Sequence, residues 1–109
     1  MADLTGKILD QLFDTLKSRR TADPDKSYTA RLFIRGRVKI AQKFGEEAVE
    51  TVIAALAETP ERLASESADM LYHLLVLWAE CGLEPATVWR ALESRIGTSG
   101  LDEKKTRKS

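Results

Sequence analysis

Lys39-Ile-Ala-Gln-Lys-Phe-Gly-Glu46-Glu47-Ala-Val-Glu50, answered further along by Glu66-Ser-Ala-Asp69, is the stretch on which the fold turns. The pairs Glu47/Glu50 and Glu66/Asp69 each have i,i+3 spacing, which on a helix leaves Cβ atoms about 5–6 Å apart on one face. The short connection from Glu50 to Glu66 makes an antiparallel hairpin that sets the two pairs side by side. An oxygen-only cage results, the donor set that a hard divalent cation such as Mg²⁺ takes. Taken alone, Glu46, Glu47 and Glu50 also fit an ordinary solvated helix face. It is Glu66 and Asp69 that favour the cage.

Working outward, the third helix runs from about Arg37 to Ala57. At about 100° per residue, Ile40, Ala41, Phe44, Ala48, Val52, Ile53 and Leu56 cover one broad side, while Lys39, Lys43, Glu46, Glu47 and Glu50 share the rest. Thr59 caps a fourth helix that starts at Pro60, the favoured place for proline, and continues to Gly82. Leu63, Met70, Leu71, Leu74, Leu75, Val76, Leu77 and Trp78 surround it almost completely, the pattern of a buried helix. Yet Glu66, Asp69 and His73 share an arc of about 60° on it. Carboxylates are seldom buried unless paired or metal-bound.

On the N-terminal side, Leu4, Ile8, Leu9, Leu12, Phe13 and Leu16 recur at helical spacing and predict a helix over about 4–18. Arg19–Lys26, with Asp23-Pro24-Asp25, reads as a polar loop. Ser27 is placed to cap a short helix through Arg35, which Gly36 ends. On the C-terminal side, Glu84-Pro85 opens a fifth helix to about Ile96, closed by Gly97. Residues 98–109 read as a polar tail with Lys104, Lys105, Arg107 and Lys108. With no alternating strand pattern, the expectation is an all-α bundle of about five helices, centred on two long antiparallel ones, in a single domain over 1–109.

The 17 basic and 17 acidic side chains cancel, so no global field draws the chain to nucleic acid or an anionic membrane. A single cysteine, Cys81, excludes an internal disulfide and fits a reducing, cytoplasmic setting. The longest uncharged run, Met70–Ala79, is far short of the ~20 residues that span a bilayer, and the N-terminus lacks a signal-peptide layout. One histidine and no Glu-x-x-His spacing argue against a di-iron bundle. His73 itself reads as a satisfied core residue. Five helices hardly cover a helix that is apolar all round, so a homodimer is expected.

Several runs resemble the phosphoribosyl-ATP pyrophosphohydrolase family, within the all-α nucleoside triphosphate pyrophosphohydrolases. They are Ser27-Tyr28-Thr29-Ala30-Arg31-Leu32, Gln42-Lys43-Phe44-Gly45-Glu46-Glu47-Ala48-Val49-Glu50, Glu66-Ser-Ala-Asp69-Met-Leu-Tyr72-His73 and Arg95-Ile-Gly97-Thr-Ser-Gly100. Phe44 departs mildly, standing where a smaller aliphatic is common. The resemblance implies a dimeric, Mg²⁺-dependent enzyme that hydrolyses phosphoribosyl-ATP to phosphoribosyl-AMP and pyrophosphate in histidine biosynthesis. The fused zinc cyclohydrolase of some family members is not expected, since one Cys and one His make no zinc set. On this reading Glu47, Glu50, Glu66 and Asp69 hold Mg²⁺, and Glu46 orients or deprotonates the attacking water. Lys39 and Lys43 meet phosphate oxygens, with Arg31, Arg35 and Arg95 as further candidates. The Gly97–Gly100 loop offers backbone N–H groups to an anion or simply caps the fifth helix. The rivals are a house-cleaning pyrophosphohydrolase acting on ordinary or damaged nucleotides, and a non-enzymatic helical dimerisation module.

Overall fold

The computed structural model describes residues 4–97, and every regular element among them is helical. Helix α1 spans Lys7–Ser18, α2 Tyr28–Arg35, α3 Arg37–Ala57, α4 Pro60–Glu80 and α5 Pro85–Glu93, with one 3₁₀ turn at Arg19–Thr21. The expected loop-anion site at 97–100 and the basic tail lie almost wholly outside the described residues.

Local chemistry sets most boundaries. Ser27 Oγ accepts from the Ala30 N–H at 3.1 Å, satisfying an orphan donor of α2. Gly36, at φ 89°, turns the chain from α2 straight into α3, a conformation that costs a side-chain-bearing residue dearly. Thr59 caps α4 by accepting from Arg62 N–H, and Pro60 occupies the first turn, where its missing N–H is harmless. Two expectations overshoot: α1 begins at Lys7 rather than Leu4, and α5 ends at Glu93 rather than Ile96. Leu4 and Ile96 are both exposed and find no partner to hold an extra turn.

The core is one cluster: Phe13 and Leu16 from α1, Leu32 and Phe33 from α2, Ile40 from α3, Leu75 and Val76 from α4. Arg20 pins its edge, lying 4.7 Å over the Phe33 ring while bonding Glu80 and the Ala79 carbonyl. Trp89 of α5 meets Trp78 edge-on at 5.8 Å and donates to Asp10 at 2.8 Å.

Helices α3 and α4 form the most extensive contact of the fold. Only Glu58 and Thr59 separate them. Thr51 and Glu66, equally far from that link, are joined by a hydrogen bond from Thr51 Oγ1 to the Glu66 carbonyl at 3.1 Å. The side of α3 that this contact buries is the stripe Ile40, Glu47, Ala54. Val52, Ile53 and Leu56, grouped by the sequence with Ile40 on one apolar side, are exposed, as are Val38 and Val49. On α4, Glu66, His73, Leu75 and Val76 are buried, whereas Met70, Leu71, Leu74, Leu77 and Trp78 are only half-buried.

Candidate metal and phosphate site

The α3–α4 contact brings carboxylates together because the inward stripe of α3 passes through Glu47 while the matching arc of α4 carries Glu66 and Asp69. Carboxylate oxygens of Glu47, Glu66 and Asp69 lie within 4.8 Å of one another. Glu47 and Glu66 are buried, at 8% and 6% exposure, and Asp69 is exposed. Thr51 Oγ1 holds the two helices at this level, donating to the Glu47 carbonyl at 2.8 Å as well as to that of Glu66.

One oxygen of each buried glutamate, Glu47 Oε2 and Glu66 Oε2, meets no hydrogen-bond donor. An anionic oxygen kept from water without a donor is costly, and here two such oxygens come from facing helices, with the exposed Asp69 carboxylate close by. Orphaned, convergent, acceptor-only oxygens are what a hard divalent cation coordinates. The donor set therefore fits a hard divalent cation.

Glu50 stands outside that three-residue group but lines, with Ile53, Glu58, Arg62 and Glu66, a neighbouring cavity of about 200 Å³. Burial holds the Glu66 carboxyl above the usual carboxylate range, and Glu50 beside it pushes the same way. The Arg62 guanidinium pulls against both, and Asp69 adds to the upward push.

On the other side of the cage, α2 and α3 enclose a groove of about 550 Å³ lined by Leu32, Arg35, Lys39, Gln42, Lys43 and Glu46. Three cations thus gather in this groove. Lys43 links it to the acidic group, its Nζ 3.7 Å from Glu47 Oε1 and 3.8 Å from Glu46 Oε1. Glu46 is exposed and also accepts from Gln42 at 3.3 Å. Arg31 is not brought here: its Nε donates to the Pro24 carbonyl at 2.5 Å and Nη2 to that of Asp25 at 3.4 Å, tying down the loop before α2. Arg95 lies in the turn after α5 and lines neither cavity.

His73 is the satisfied core residue that its setting on α4 suggested. Its Nδ1 lies 2.7 Å from the Asp69 carbonyl, which can only accept, so Nδ1 carries the proton and Nε2 accepts from the Tyr28 hydroxyl at 3.1 Å. Tyr28 and Tyr72 pack around the ring, and Tyr72 hydrogen-bonds Thr29. These contacts fasten α2 to α4 one turn from Asp69.

Sequence reasoning passed over Arg62, Glu58, Thr51 and Gln42. The signal for Arg62 was present, since it stands four residues after Glu58 and four before Glu66. Thr51, by contrast, is visible only once the helices are paired.

Residues 9–96 match the family described as phosphoribosyl-ATP pyrophosphohydrolase. The chain is 68% identical over 102 residues to a Paramagnetospirillum magneticum protein named phosphoribosyl-ATP pyrophosphatase, covering 94% of each chain. Proteins with the same name from Azospirillum brasilense and Rhodospirillum rubrum are both 59% identical, over 106 and 102 residues. Those alignments cover 97% and 94% of this chain, and 96% and 87% of the relatives.

Proposed function

Because the chain belongs to the phosphoribosyl-ATP pyrophosphohydrolase family and is an enzyme of it, we propose that it hydrolyses phosphoribosyl-ATP to phosphoribosyl-AMP and pyrophosphate in histidine biosynthesis. The observation that carries the mechanism is the juxtaposition of a buried, donor-less acidic cage with a cationic groove, joined through Lys43.

Glu47, Glu66 and Asp69 would hold Mg²⁺, with Glu50 beside them. An ion held there would supply neutralisation of phosphate charge. Arg35, Lys39 and Lys43 line the groove and bind the phosphate oxygens that lie beyond the cage. Glu46, which lines the groove and shares Lys43 with Glu47, takes a proton from the attacking water. As the new P–O bond forms, the α–β anhydride P–O bond breaks and pyrophosphate leaves. Arg31 drops out of the substrate set, because its guanidinium is committed to loop carbonyls.

The working unit is proposed to be a homodimer. The support is the exposed apolar side of α3 together with the half-covered side chains of α4. Among the described residues no helix is long and apolar enough to cross a membrane.

Pyrophosphate release from phosphoribosyl-ATP, with dCTP, dUTP and ATP in parallel and with and without Mg²⁺, tests the reading. Rapid Mg²⁺-dependent release from phosphoribosyl-ATP alone is expected. Release only from the ordinary nucleotides would keep the cage and discard the substrate, and silence on all of them would discard the enzyme.

A further inference from the structure

From α4, Arg62 touches the buried part of the cage. Its Nη2 lies 2.5 Å from Glu66 Oε1, and its Nε lies 3.2 Å from Glu58 Oε1. The two carboxylates differ sharply in setting. Glu66's side chain is 8% exposed and Glu58's 37%, while Arg62 itself is 54% exposed. The guanidinium therefore reaches in from solvent, anchored outside by Glu58, and covers one oxygen of a ligand whose other oxygen has no donor.

We propose that Arg62 is a resident counter-cation of the acidic cage, which competes with the divalent ion for Glu66 and so sets the ion concentration at which the site fills. Three observations carry this. The guanidinium occupies an oxygen of a residue in the three-carboxylate group. It is itself half-exposed and bonds Glu66 through a single oxygen, so it can withdraw to solvent without leaving a cation buried. And Glu58 offers it a place to stay once Glu66 is taken. Without a divalent ion, Arg62 relieves the mutual repulsion of Glu47, Glu50, Glu66 and Asp69. With one, it gives up Glu66 and remains on Glu58 at the rim, where its charge still opposes the ion. The inference rests on the reading of Glu47, Glu66 and Asp69 as cation ligands.

Mn²⁺ titration by calorimetry, without substrate and at pH 8, separates the two ideas. Wild type, Arg62→Gln and Glu47→Gln are compared at low and high ionic strength. Arg62→Gln is expected to bind Mn²⁺ on the order of tenfold more tightly than wild type at low ionic strength, with the gap narrowing in high salt. Glu47→Gln is expected to lose most binding. If Glu47→Gln binds as wild type does, the cage reading falls. If Glu47→Gln fails to bind but Arg62→Gln matches wild type or binds more weakly, the cage stands and the counter-cation role falls.

Thermal melting supplies the second readout. In EDTA, Arg62→Gln should melt below wild type because the carboxylates lose their counter-charge, and Mn²⁺ should raise its melting temperature by more than it raises wild type's. An equal drop with and without Mn²⁺ would make Arg62 a plain surface contact and overturn the proposal.

Discussion

The two long sides of α3 each carry side chains that their surroundings do not call for. The side turned to α4 buries Ile40, Glu47 and Ala54, placing a carboxylate inside the fold. The far side presents Val38, Val49, Val52 and Leu56 to solvent, Leu56 at 83% exposure. The inward side keeps a donor-less carboxylate oxygen buried at a cost in stability, and the outward side leaves apolar area exposed. The first arrangement suits a charged ion, and the second suits a second chain.

The largest effect should come from breaking the inward side. Glu47→Met keeps the volume and removes a buried oxygen that has no donor. Activity should fall about 10²–10³-fold or more, because a ligand to the charge-neutralising ion is lost. The metal-free protein should become more stable in urea, by about 1–3 kcal/mol. Loss of stability together with activity would mean that Glu47 is a structural residue and that the two sides of α3 do not differ in purpose.

Next comes the outward side. Leu56→Asp places a charge in the exposed apolar stripe, where each covered aliphatic side chain contributes about 1.5–3 kcal/mol. Light scattering should show wild type at twice the chain mass and the variant at one chain mass, with the helical content by circular dichroism unchanged. A wild type that already has the mass of one chain at all concentrations would leave the stripe unexplained and remove the dimer.

A smaller effect sharpens the inward side through pH. Burial raises the Glu66 carboxyl above its ordinary 4.5, so between 4.5 and the raised value the folded chain binds more protons than the unfolded one. Stability contributed by this group therefore falls as pH rises through that window, and stays low above it. In EDTA, wild type minus Glu66→Gln should show this decline, since most other carboxylates cancel in the difference. Saturating Mg²⁺ should abolish it. A difference that stays flat without metal would mean that Arg62 fully offsets the burial.

What was legible in the sequence is what local chemistry dictates. Ser27, Gly36, Thr59 and Pro60 set the helix ends of α2, α3 and α4 through hydrogen bonds and backbone angles confined to a few residues. The approach of Glu47 to Glu66 and Asp69 was legible too, because two helices joined by a short link leave few ways to arrange them. Glu50, expected with them, stands outside the group. The outer ends of α1 and α5 were not legible, since Leu4 and Ile96 look like core residues until their exposure is seen. Nor was the fate of Val52 and Leu56: periodicity identifies an apolar side without saying whether the same chain covers it.

Arg31 and Arg35 give the finest version of the comparison, because one turn of α2 separates them and the sequence offered both to the phosphates. Arg35 lines the groove with Lys39 and Lys43. Arg31 bends back to the carbonyls of Pro24 and Asp25, which hold the loop leading into α2. Arg35→Ala should raise KM several-fold while leaving the melting temperature within about 1 °C of wild type, as expected when an exposed side chain makes no fold contact. Arg31→Ala should leave KM unchanged and cost about 0.5–1.5 kcal/mol of stability, the range for a net hydrogen-bond contribution. The reverse pattern would move the phosphate path to the loop side of α2, away from Lys39 and Lys43. Groove and cage would then no longer be joined through Lys43, and the phosphates would have to reach Glu47 and Glu66 by another way.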